Sequence, residues 1–131
     1  MDEITAEIVS LWLHKAENDL KNIGNNLAAD DVPTDTVCFH VQQAIEKLIK
    51  AVLVANGREV FKTHDLVKLL GDVVDILPAL SCYEEQLEEI SEYGVGARYP
   101  NGVCDPTLEE ARYAHEVALN IRELVLHYLK F

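Results

Sequence analysis

Apolar residues recur at helical intervals through most of the chain, and nowhere do they alternate as they would along a half-buried strand. From Ile4 to Leu27 they fall at Ile4, Ile8, Leu11, Trp12, Ala16, Leu20, Ile23 and Leu27, with Glu7, Lys15, Asn18 and Lys21 on the other face. A second helix is expected from about Thr34 to Asn56, on the stripe Val37, Val41, Ala44, Leu48, Ala51, Val52 and Ala55. Gly57 is its C-terminal cap. Thr63 is placed to cap a third helix on Leu66, Leu69, Leu70, Val73, Val74 and Leu77, which Pro78 stops. Ser81 and Glu84 have capping-box spacing for a fourth helix, from Cys82 to about Tyr93. Gly94, Gly96, Pro100, Gly102 and Pro106 then interrupt helix formation, until Thr107 opens a last helix reaching nearly to Phe131. Such segments joined by short breaks imply one all-α domain over residues 1–131, an antiparallel up-and-down helical bundle of four to five helices.

Charge restricts the partners. The formal net charge is -12, and nucleic-acid affinity comes mostly from Lys and Arg on phosphates. No DNA partner is expected, and RNA or nucleotide contact requires a local basic pocket or a basic partner protein. No apolar run is long enough to span a membrane, and the Met1-Asp2-Glu3-Ile4 start lacks a secretion-signal pattern. Cys38, Cys82 and Cys104 form no Cys-x-x-Cys pair, and the five histidines lack metal-ligand spacing. A cytoplasmic protein with no cofactor and no metal is the expectation.

Two polar breaks carry the candidate chemistry. Lys62-Thr63-His64-Asp65 stands at a helix start, where free N–H groups and the positive end of the dipole favour phosphate. His64 either contacts phosphate there or holds the loop through backbone hydrogen bonds. Asp65 competes with a phosphate, orients His64, or serves only to start the helix. In the longer break, Arg98 and Tyr99 either stack on a base and clamp a phosphate, or anchor one end of the bundle. Lys47 and Lys50, near Gln43, read as a solvated helix face, while Trp12 and Phe39 read as core or dimer-interface residues.

Three stretches in this order resemble the HEPN domain (higher eukaryotes and prokaryotes nucleotide-binding). They are Phe39-His40-Val41-Gln42-Gln43-Ala44-Ile45-Glu46-Lys47-Leu48-Ile49-Lys50-Ala51, then Lys62-Thr63-His64-Asp65-Leu66, then Arg98-Tyr99-Pro100. With Ala16-Glu17-Asn18-Asp19-Leu20 they cover nearly the whole chain. The resemblance implies a helical homodimer that partners a minimal nucleotidyltransferase, in some cases as a toxin–antitoxin pair. In the family's ribonucleases an Arg and a His four to six residues apart cut RNA without a metal, the His moving the 2′-hydroxyl proton and the Arg stabilising the phosphorane.

Geometry ranks the Arg–His pairs of this sequence. Arg122 and His127 lie mid-helix and roughly 140° apart, so they cannot converge within one chain. Arg112 and His115 share a face at an interval shorter than the motif. Arg58 and His64 span a break that can fold both onto one spot, which makes them the catalytic candidates. Their place between the second and third helices departs from the family's ribonucleases, which carry the pair later, near Arg98. The leading expectation is therefore an interaction module that contacts nucleotide or RNA through Lys62, His64, Asp65, Arg98 and Tyr99. The alternatives are a metal-independent endoribonuclease toxin using Arg58 and His64, and a structural dimer subunit without ligand.

Overall fold

The computed structural model describes residues 1–95 and 105–131, so Arg98 and Tyr99 lie outside the described residues. Five α-helices account for most of it: α1 (Glu3–Leu27), α2 (Thr34–Ala55), α3 (Leu66–Val73), α4 (Glu84–Val95) and α5 (Leu108–Leu129). A 3-10 turn, Pro78–Tyr83, joins α3 to α4. The described residues contain no strand. The all-α helical bundle read from the periodicity is the fold observed.

Local chemistry sets most helix ends where the sequence puts them. The Asp2 carboxylate accepts from the Thr5 N–H at 2.7 Å and caps α1. Thr107 and Glu110 satisfy each other's backbone N–H at the start of α5. Gly57 follows α2 with φ of +69°, and the N–H groups of Gly57 and Arg58 return to the carbonyls of Val54 and Leu53. That is a Schellman closure, which needs a residue in the left-handed region just beyond the cap.

The middle of the chain departs from expectation. Asp65, not Thr63, caps α3: its carboxylate accepts from Val67 N–H and Lys68 N–H at 3.1 and 3.2 Å. Thr63 sits two residues too early and turns the chain instead, its hydroxyl accepting from Asp65 N–H. α3 ends at Val73, well before Pro78. Arg58 holds the Asp72 carbonyl, Leu77 is forced out of helical geometry ahead of the proline, and Pro78 opens the 3-10 turn. Ser81 therefore lies inside that turn, and the expected Ser81–Glu84 capping box does not form; α4 begins at Glu84.

The bundle is built around α2, which packs against every other helix. Thirteen of its residues are buried, far more than one stripe. Ile23, Leu48, Leu69, Leu87 and Ile121, one from each helix, are among the fully buried side chains; burial of each contributes about 1.5–3 kcal/mol. Trp12 of α1 meets Lys50 of α2, and Asp19 meets His40 and Lys47, so the two helices run antiparallel. Asn56 and Tyr128 join the C-terminal ends of α2 and α5.

Candidate functional site

A central helix packed on most sides must satisfy any polar side chain it carries with internal partners. Gln42, Glu46 and Lys50 stand four residues apart on α2, one above another, and all three are buried. The Glu46 carboxylate is shared. One oxygen is 2.7 Å from His64 Nδ1, and the other is 3.4 Å from the Lys50 ammonium. Lys50 in turn lies 5.6 Å from the centre of the Trp12 ring. Gln42 donates to the His64 carbonyl at 3.0 Å and accepts from Gln43.

The turn that carries His64 is held from two sides. The Ser91 hydroxyl of α4 donates to the same His64 carbonyl and accepts from Leu66 N–H, both at 3.2 Å. His64 thus has a main chain fixed by α2 and α4, and a ring anchored through Nδ1. Its side chain remains 63% exposed, against 5% for Glu46. The ring forms part of the wall of an open groove of about 540 Å³, shared with Lys62, Thr63, Asp65, Glu88, Ser91 and Glu92. The N–H groups of Leu66, Val67 and Lys68 are all taken. Those three groups are therefore not the free N–H donors expected at this helix start.

The two parts of the Arg58–His64 pair are bound separately. Arg58 makes a two-pronged bond to Asp75 and a third bond to the Asp72 carbonyl at 2.7 Å. That guanidinium holds the Asp75 carboxyl below the ordinary aspartate range, and the carboxylate raises the arginine in return. Arg122 bonds Glu17 and Glu123. Arg112 borders a second cavity, about 440 Å³, between α4 and α5, with Gln86, Tyr93 and Tyr113. Among the described residues the buried Oε1 of Gln86 has no hydrogen-bond partner there. His115, one turn along α5, is pushed below the usual histidine range by burial.

Several members of these buried polar clusters escape sequence reasoning. Lys50, read with Lys47 as part of a solvated face near Gln43, is instead buried, as is its partner Glu46. Lys47 is half-buried and bonds Asp19 at 2.6 Å, while His40 Nδ1 bonds the other oxygen of Asp19 at 2.8 Å. The bundle so contains the same arrangement twice: a buried carboxylate divided between a histidine Nδ1 and a lysine. The available signal was Gln42, Glu46 and Lys50 in register, flanked on both sides by residues of the apolar core. Phe39, read as core or interface, is exposed and meets the His40 ring edge-on. No helix among the described residues is long and apolar enough to cross a membrane.

Comparison with known proteins identifies the family. Residues 9–128 match the model of the HEPN domain. The protein of Methanocaldococcus jannaschii named "Putative toxin MJ1304" is 30% identical over 135 residues, covering 92% of this chain and 87% of that protein. No solved structure matches the chain. A family match running from the first turns of α1 to the last turn of α5, joined by a relative of similar length, establishes that the chain belongs to the HEPN domain family.

Proposed function

We propose that this HEPN protein is a toxin-like interaction module that contacts nucleotide or RNA in the Lys62–Asp65 groove and pairs with a minimal nucleotidyltransferase as a homodimer. The observation that carries the reading is the anchored His64. A buried carboxylate fixes Nδ1, so Nε2 is left for a ligand in the groove that Lys62 also lines. The groove is of mixed charge, with Glu88, Glu92 and Asp65 facing the same space. That lining suits a nucleotide better than a bare anion: Lys62 and His64 donate to phosphate, while the carboxylates accept from ribose hydroxyls and base amines. Arg98 and Tyr99 are the further ligand-contacting residues in this reading. A net charge of -12 limits binding to this local site.

Titration with nucleoside monophosphates and short single-stranded RNA tests it. His64→Ala and Lys62→Ala are each expected to weaken binding about tenfold, the loss of one charge-assisted bond. Absence of binding by the wild type, with no nucleotidyltransferase in the adjacent reading frame, sinks the proposal.

The Glu46–His64 contact also favours a second reading, metal-independent RNA cleavage. A carboxylate on Nδ1 holds an imidazole for proton transfer through Nε2. Arg58 has to leave Asp75 to assist, which makes catalysis by the Arg58–His64 pair the lesser reading. Cleavage of RNA in EDTA by the wild type, lost in His64→Ala, supports it. Inactivity of the protein freed of its partner refutes it and leaves binding, or a purely structural dimer subunit.

A further inference from the structure

The buried carboxylate that holds His64 has a counterpart on the side of α2 that meets α1. There Asp19 is divided between two residues of α2: one oxygen is 2.8 Å from His40 Nδ1, and the other is 2.6 Å from the Lys47 ammonium. A carboxylate only accepts, so the His40 ring carries its proton on Nδ1. In the neutral imidazole Nε2 is then a lone-pair acceptor, and it makes no hydrogen bond among the described residues. The His40 side chain is 24% exposed, against 10% for the Asp19 that anchors it. Phe39 stands beside it, 42% exposed, with the two rings edge to face and their centres 5.4 Å apart. Such a ring offers a base a stacking surface, and stacking requires no charge.

Position relative to the groove sets the size of ligand. Glu46, which anchors His64, is six residues on from His40 along α2, about 9 Å along the axis. Gln43 falls midway between them, both along the helix and around it. It is half-buried and bonds Gln42, which bonds the His64 carbonyl. A strand running from the groove across Gln43 to His40 therefore covers two to three nucleotides, at about 3.4 Å each when stacked.

Charge selects which part of those nucleotides is read. The net charge of -12 opposes a second phosphate clamp, and Asp19 already occupies Lys47. Stacking on Phe39 and acceptance at His40 Nε2 both avoid the phosphate. Away from its base edges, the hydrogen-bond donor that RNA offers and DNA lacks is the ribose 2′-hydroxyl.

We infer that Phe39 and His40 form a second station for single-stranded RNA, Phe39 stacking a base and His40 Nε2 accepting from a ribose 2′-hydroxyl. The inference rests on the nucleotide groove of the proposed function and adds the class of ligand, a strand of several ribonucleotides rather than a mononucleotide or DNA. Lys47 acts as a positioning residue, holding the carboxylate that orients His40.

Fluorescence anisotropy on the full chain tests it, with labelled hexauridylate and with its 2′-deoxy counterpart and uridine monophosphate as competitors. The wild type is expected to bind hexauridylate at least about tenfold more tightly than either competitor. His40→Ala is expected to lower the preference for the ribose strand over the deoxy strand about tenfold. Phe39→Ala is expected to weaken both strands about tenfold and to keep that preference. Asp19 retains Lys47 in the first variant, and Phe39 is exposed, so both proteins are expected to fold, which circular dichroism checks. A His40→Ala protein with the wild-type preference overturns the assignment of His40. A wild type that binds the monophosphate or the deoxy strand as tightly as hexauridylate overturns the second station and leaves the groove reading intact. A wild type that binds none of the three overturns both.

Discussion

Replacing Glu46 with Leu tests the buried network most directly, because the structure fixes what remains behind. Glu46 is 4% and Lys50 6% exposed, and their charged atoms are 3.4 Å apart. At an effective dielectric constant of about 20, such a pair attracts with roughly 5 kcal/mol, a gross figure that desolvation of both groups offsets in part. With the carboxylate gone, the Lys50 ammonium stays inside with the Trp12 ring as its remaining cation partner among the described contacts, worth about 1–2 kcal/mol. The net expectation is a loss of about 3–5 kcal/mol, the usual cost of a buried charge left unpaired. For a chain of this length that lowers the melting temperature by about 10 °C or more. Adding Lys50→Met removes the stranded charge at similar volume, so the double variant should return to within about 1 kcal/mol of the wild type. Urea unfolding of the four proteins in the cycle gives the numbers. A Glu46→Leu cost below about 1 kcal/mol, or a double variant as unstable as the sum of the singles, refutes the reasoning.

Asp65→Ala removes the acceptor for two N–H groups of an eight-residue helix and is expected to cost about 1 kcal/mol in urea unfolding, with faster amide exchange in α3. Gly57→Ala forces a side chain into the left-handed region; nothing crowds the added carbon, so a loss of about 1–2 kcal/mol in the same assay isolates backbone strain. Arg58 holds the Asp75 carboxyl below its ordinary value near 3.8. The contribution of this exposed pair is therefore present above that value and lost as pH falls through the lowered one. Asp75→Asn should flatten that acid limb of the stability profile, and an unchanged profile in the variant counts against the pairing.

What the sequence made legible follows from range. The long helices α1, α2 and α5 are written in local periodicity, and Gly57 and Thr107 mark ends through their own backbone chemistry. The region from Thr63 to Tyr83 was harder. Thr63, Asp65, Ser81 and Glu84 all have capping side chains, and only the position of Leu66 against α2 and of Leu80 in the core decides among them. His64 could be singled out as a candidate, but its partner Glu46 lies on another helix, 18 residues earlier, and nothing local to either residue links the two. The inward placing of Gln42, Glu46 and Lys50 arises when α1 and α4 close over α2, a tertiary event with no local mark. Ile4, Ile8 and Leu11 of α1 show the converse: they share the regular apolar spacing, yet the bundle leaves them exposed.

The His64 carbonyl, bonded by both Gln42 and Ser91, separates the groove's scaffold from its chemistry. The turn is held through a main-chain atom that every residue type possesses. The side chain at 62 can therefore change without undoing the staple, so ligand preference can be retuned there while the frame persists, whereas the Thr63 hydroxyl is itself part of the turn. Ser91 is different, because one hydroxyl ties together the turn, the start of α3 and the body of α4. A displacement of α4 along its axis moves this hydroxyl and the turn together, and whatever docks on α4 acquires a mechanical handle on the groove.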